Sequence, residues 1–203
     1  MAYLTLLHIF TLPTLQTTIQ TELISLDYST LSASQRAALF PAQTPHLRAL
    51  FREVMRYHTT AWSAREVLET TTLSTSTRPY TLLKSSIVAM PSSLLHHNPT
   101  IHSSPATFDA TRFLATDLGG KGTAATPKEL RPFGGGASYC PGRLFAEKQI
   151  LGFVAEMLSR FEFDIKGKVD IPRNADFFFV EKQRSVKVLI RSKREVSEAS
   201  LDV

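Results

Sequence analysis

Apolar residues recur at helical spacing in three long stretches of the chain. From Ala2 to Leu26 the pattern predicts helix interrupted near Pro13, with Gln16, Gln20 and Glu22 on the polar face. In HLRALFREVMRYH, residues 46–58, Leu47, Leu50, Phe51, Val54 and Tyr57 share one helical face. Residues 142–160 place Leu144, Phe145, Ile150, Leu151, Val154, Met157 and Leu158 on or near one face of a third helix. Between the second and third stretches the period changes. Residues 64–69, 79–83 and 86–90 are short runs rich in Val, Ile, Leu and Thr, separated by turn-like residues, and predict strands. Pro91 to His97 predicts a short helix, and 161–165, 176–180 and 186–191 predict three further strands. The Ser/Thr/Ala-rich residues 27–44 read as a linker or short polar helix. Residues 98–132 read as mostly irregular, with LGGKGTAATPK at 118–128 flexible by composition, and the polar tail from Ser192 as frayed. The expected class is mainly α with small antiparallel β pieces (α+β).

Composition narrows this picture little. The 203 residues are 43% hydrophobic and 20% charged, an ordinary soluble mixture for one domain or one large piece of a domain. A net charge of +5 suits an acidic partner or a membrane surface, and is equally the ordinary outcome for many domains. No run of Lys and Arg is interleaved with aromatics, which argues against nucleic acid. The single cysteine excludes an internal disulfide and any site built from paired cysteines; a reducing compartment fits. The opening MAYLTLLHIFTLP is apolar but has only about half of the ~20 residues that a membrane span needs. It lacks a basic n-region and a small-residue cleavage site, so it reads poorly as a signal peptide.

The one cysteine stands in a costly setting. Residues 133–143 read FGGGASYCPGR. Gly134, Gly135 and Gly136 let the backbone adopt positive φ and let a flat ligand approach closely. Pro141 follows the cysteine and Gly142 opens the third helix, so the sulfur is expected at a helix N-terminus, where a thiolate is favoured. A thiolate held there can serve as the single axial ligand of a haem iron, with nearby N–H groups tuning it and Phe133 covering it from water. A lone cysteine is most often a small buried apolar residue. The full pattern FxxGxxxCxG, with several identities at fixed spacing, argues against that reading here.

FGGGASYCPGRLFA resembles the haem-binding loop of the cytochrome P-450 family, the haem-thiolate monooxygenases. Phe133, Gly136, Cys140 and Gly142 match the family pattern, and the resemblance implies that Cys140 is the proximal thiolate ligand of haem b. Many members carry an arginine two residues before the cysteine, paired with a haem propionate; this chain has Ser138. With a small polar residue there, CPGRLFA is similar to the branch containing sterol 7-alpha-hydroxylases and prostacyclin synthase, and to many fungal relatives. Glu53 and Arg56 form ExxR, with a spacing that puts both on one helix face. The family buries this pair and closes it with an arginine from a PxRF-like segment. FDATRF, residues 108–113, fits that segment with Arg112 as third member and Ala110 where proline is usual. Each of the three would otherwise read as a solvated surface charge, but their order and distance from Cys140 follow the family. The resemblance places Arg65, in WSAREV, at a haem propionate. It also places HTTAWS, residues 58–63, and the turn near Phe177–Phe179 toward substrate. His96 and His97, in LLHHNPTIH, correspond to a histidine-containing turn and are read as structural.

The resemblance runs from about Leu4 to Arg191 but implies only the C-terminal part of the family's fold. Residues 1–203 are therefore expected to be a partial domain, the proximal, haem-ligand half, beginning at the tail of the long distal helix. The membrane anchor and the acid–Thr motif of that helix are expected to lie outside it. The implied activity is O2-dependent hydroxylation of a small apolar, lipid- or sterol-like substrate with electrons from an NADPH-dependent flavoprotein reductase. Two alternatives stand beside it: a peroxide isomerase of the same fold, and a truncated, non-catalytic product. Lys121, Lys128, Arg131 and Lys148 lie near the cysteine in sequence and would form a positive face for an acidic reductase. Localisation implied by the resemblance is the endoplasmic reticulum membrane, through the part not present here; the chain without that part is otherwise expected to be cytoplasmic.

Overall fold

The structure is a computed structural model that describes residues 1–28, 30–32, 34–36, 43–114, 130–167, 169, 171 and 186–193. The expected strand at 176–180, the turn at Phe177–Phe179, the segment 118–128 with Lys121 and Lys128, and the tail beyond Lys193 lie outside the described residues.

The break near Pro13 divides the opening stretch into α1, Ala2–Thr11, and α2, Pro13–Ser25. Proline lacks an N–H and fits the first turn, so it starts α2 while Leu12 leaves helical geometry at φ −126 and ψ 83. The helix α3, Pro45–His58, also begins with proline. Its N-terminus has no local side-chain cap. Instead the Glu22 carboxylate of α2 accepts the backbone N–H of His46 at 2.9 Å and of Leu47 at 3.4 Å. That contact satisfies orphan N–H groups and complements the helix dipole. It also joins α2 to α3.

A hairpin region follows. Strand β1, Trp62–Glu66, pairs antiparallel with β4, Ile87–Pro91, with Arg65 opposite Val88. Between them β2, Thr71–Ser74, pairs with β3, Pro79–Leu82. The expected strand at 64–69 is therefore shifted two residues earlier and ends at Glu66, and β2 was not anticipated. All four residues of TTLS are exposed, so β2 has no buried face to leave an alternating signature. The short helix α4, Ser92–His96, leads into an irregular segment from His97 to Phe113. A single 3₁₀ turn at Gly136–Ser138 precedes α5, Arg143–Arg160. Strands β5, Phe161–Lys166, and β6, Lys187–Ser192, form a third antiparallel pair.

The main core lies where α1, α2, α3 and α5 meet. Ile9, Ile19, Leu47, Leu50 and Val54 are fully buried there with Leu151, Val154 and Leu158. The amphipathic expectation for α5 holds only over its second half. Leu144 and Phe145 are 60% and 68% exposed, because no described element covers the first turns of that helix. The observed class is helices with small antiparallel sheets, α+β.

Candidate functional site

Helix spacing and a tertiary clamp together bring Glu53, Arg56 and Arg112 into one cluster. Glu53 and Arg56 are fully buried one turn apart on α3. The guanidinium donates to the carboxylate in bidentate fashion, Nε to Oε2 at 2.7 Å and Nη2 to Oε1 at 2.7 Å. Arg112 adds a third donor, Nε to Oε2 at 3.1 Å, and the backbone N–H of Asp109 a fourth, to Oε1 at 2.9 Å. The remaining guanidinium N–H groups reach carbonyls of the irregular segment. Arg56 donates to Pro105 and His96, both at 2.9 Å, and Arg112 to Ser103 at 2.7 Å and Thr107 at 3.2 Å. One carboxylate and two guanidiniums thus fasten 103–112 to α3. Ala110, where the family has proline, packs half-buried against the main core.

The same tie extends to the cysteine loop. His96 is fully buried, and its Nε2 accepts the backbone N–H of Arg131 at 2.9 Å. From Arg131 the chain turns through Phe133 and the glycines. Gly134 and Gly136 have φ of +77 and +64, a region that side chains adopt only with strain. A Cβ on Gly134 would meet Ser63 Oγ of β1 at 3.4 Å, whereas one on Gly136 would meet nothing within 4 Å. Phe133 is half-buried against the main core, and its carbonyl accepts the Cys140 N–H at 3.2 Å, closing the loop. Cys140 is half-buried immediately before α5, and its carbonyl accepts Arg143 Nη1 at 3.1 Å. Gly142 comes close to the sulfur: a Cβ there would lie 3.9 Å from Sγ.

A cleft of about 440 Å³ opens between this loop and the first hairpin. Ala61, Trp62 and Ser63, from the HTTAWS stretch, form one wall and Gly134–Ala137 the other. Arg65 and Arg131 also line it. Arg65 is exposed and donates to Ser138 Oγ at 2.7 Å and to the carbonyl of Ala64 at 2.7 Å. Ser138 therefore sits beside Arg65. Cys140 does not line the cleft itself. The volume is within the roughly 300–1,000 Å³ usual for ligand pockets. A thin glycine wall, apolar lining and two guanidiniums suit a flat apolar molecule with carboxylates at one edge.

Sequence reasoning missed one feature beside this site. His8 of α1 and His58 of α3 are buried with their Nε2 atoms 2.8 Å apart, and His8 stacks on Phe108 with ring centroids 3.6 Å apart. Nothing in the sequence signals a contact across that separation. Burial and the mutual repulsion of the two rings push His8 down to about 3; burial together with neighbouring cations, Arg56 among them, pushes His58 down to about 4. Both are neutral at pH 7, which is what one N–H donor facing one lone pair requires. Of the four cations read as a positive face, Arg131 and Lys148 are exposed. No helix among the described residues is long and apolar enough to cross a membrane.

Comparison with known proteins agrees with these elements. The sequence profile of the family described as Cytochrome P450 matches residues 3–190. Cytochrome P450 monooxygenase poxD of Penicillium oxalicum is 36% identical over 193 residues, 95% of this chain and 39% of that protein. Cholesterol 7-alpha-monooxygenase of Cricetulus griseus is 33% identical over 126 residues, 60% of this chain and 25% of that protein. The chain thus spans about two fifths of the fungal relative's length and a quarter of the mammalian one's. A zebra fish cytochrome P450 solved with abiraterone shares the fold, with a TM-score of 0.68 at 24% identity over 94% of this chain and 43% of that one. Haem is the cofactor of this family, and the glycine wall, the apolar cleft and its two arginines are compatible with it. By the family profile and the fungal relative together, the chain belongs to the cytochrome P450 family.

Proposed function

We propose that residues 1–203 form the proximal, haem-ligand part of a monooxygenase, with Cys140 as the thiolate ligand of haem b. The observation that carries this reading is the loop from Phe133 to Arg143. Two left-handed glycines thin one wall of an apolar cleft, and the only cysteine of the chain follows at the entry of α5. Bound haem supplies the redox chemistry that activates O2 for insertion into an apolar C–H bond. The residues of this chain do the rest. The Cys140 sulfur donates electron density. The closed hydrogen bond from its N–H to Phe133, and the bond from Arg143 to its carbonyl, hold the ligand's backbone rigid. Arg65 would hold a haem carboxylate, using N–H groups that in this structure reach Ser138 and Ala64. Glu53, Arg56 and Arg112 do not touch the cleft; they hold the segment that leads into the loop.

The substrate in this proposal is a small apolar molecule, lipid- or sterol-like. Trp62 and Met90 on the cleft wall and similarity to a sterol 7-alpha-monooxygenase support that class. Electrons come from an NADPH-dependent flavoprotein reductase steered by exposed cations of this chain, Arg131 and Lys148 among them, and the working protein resides at the endoplasmic reticulum membrane. The test is spectroscopic. The full-length form should give a ferrous–CO adduct with the red-shifted Soret band of thiolate ligation, and Cys140→Ser should abolish it. A wild-type spectrum in Cys140→Ser would refute the assignment.

A further inference from the structure

We infer that His96 is a positioning residue that ties the register of the cysteine loop to the Glu53–Arg56 network through a single imposed tautomer. The inference rests on the proposed role of the loop, but its geometry does not. A backbone N–H can only donate. Because the Arg131 N–H points at His96 Nε2 from 2.9 Å, that nitrogen must present a lone pair, and the ring proton must sit on Nδ1. The other end of the residue is held just as firmly: its backbone carbonyl accepts Arg56 Nη1 at 2.9 Å. Arg56 in turn is locked to Glu53 by two bonds of 2.7 Å. A continuous chain of hydrogen bonds therefore runs from α3 through His96 to Arg131, three residues before the first left-handed glycine, Gly134.

The arrangement is one in which loss of the lone pair is costly. His96 is fully buried, and a second proton would make Nε2 a donor facing another donor. The charged or titratable groups facing it are Arg56 of α3, His97 beside it, His102 of the following turn, and Arg131 of the loop; Glu53 lies behind Arg56. Burial first, then His102, His97 and Arg56, hold the imidazole down to about 4. The neutral ring thus persists down to about pH 4. A side chain serving only to fill this space would need neither the lone pair nor the tautomer.

The consequence is measurable in the folded full-length form. At pH 7 the nitrogen shifts of His96 should report the neutral Nδ1–H tautomer, and the Arg131 amide should be protected from hydrogen exchange. Its protection factor should fall as pH drops through about 4. His96→Gln offers an acceptor oxygen and should retain most of that protection. His96→Leu fills the space without an acceptor and should lower the protection about tenfold, a factor in keeping with one buried hydrogen bond. An Nε2–H tautomer in the wild type, or an Arg131 amide exchanging at the free-peptide rate, would overturn the inference without any variant being made. Equal protection in His96→Gln and His96→Leu would also overturn it. The haem reading fails separately, on the Cys140→Ser spectrum.

Discussion

Replacing Glu53 by alanine should be among the most damaging single changes available in this chain. The carboxylate is fully buried and accepts four hydrogen bonds, from Arg56 Nε, Arg56 Nη2, Arg112 Nε and the Asp109 N–H. Removing it leaves the fully buried Arg56 guanidinium with carbonyl partners only, at His96, Pro105 and Thr107. Carbonyls satisfy its N–H groups but do not neutralise its charge. Taking one partner from such a buried network costs about 3–5 kcal/mol. For a domain of this size roughly 2–4 °C of Tm are lost per kcal/mol, so the expected fall is roughly 6–20 °C. That is a large share of the ~5–15 kcal/mol that holds a typical domain together. Arg112 is 11% exposed in its side chain, so Arg112→Ala should cost less, and the two effects should not add, because both break the same bond. The control is Asp164→Asn in β5, whose partner Lys166 is 58% exposed; such a pair contributes at most ~1 kcal/mol. Thermal unfolding followed by far-UV circular dichroism compares the three. A Glu53→Ala shift no larger than that of Asp164→Asn would mean that the network is not buried, and the argument would fall.

Acid should weaken the fold before the carboxylates titrate. His8 and His58 are held down to about 3 and about 4, below the ~6.5 of an unfolded histidine, so their contribution is full above pH 6.5 and is lost as pH falls toward 4 and 3. Urea midpoints at pH 7 and pH 5 should show the loss, and His8→Phe should be less stable at pH 7 but depend less on pH. Gly136→Ala should cost roughly 1–2 kcal/mol from backbone strain alone, since φ is +64 and the added carbon meets nothing, whereas Gly135→Ala, in extended backbone, should leave Tm nearly unchanged. Phe145→Asp, at a side chain 68% exposed next to the exposed Leu144, should raise the soluble fraction on expression without lowering Tm; a drop of several degrees would mean that the face is covered.

Much of this protein is legible along the chain because local rules decide it. The apolar faces around Leu47, Leu50 and Val54, and around Leu151, Val154 and Leu158, follow from a period of 3.6 residues, and Pro13 and Pro45 mark where two helices begin. The cysteine loop is legible for a related reason. Left-handed backbone at Gly134 and Gly136 favours glycine, so the conformation is suggested by residue identity. Strand β2 was not legible, since both its faces are exposed and its partner, not its pattern, makes it a strand. Nor was the exposure of Leu144 and Phe145, which share the apolar face of α5 but lie past the elements that cover it. The contacts that give the site its mechanical frame join residues far apart in sequence: His8 with His58, Glu22 with the first turn of α3, and His96 with Arg131. A hydrogen bond depends on where two atoms end in space to within a few tenths of an ångström. Residue types carry the capacity to donate or accept, and only the packing of helices and turns decides which donor meets which acceptor.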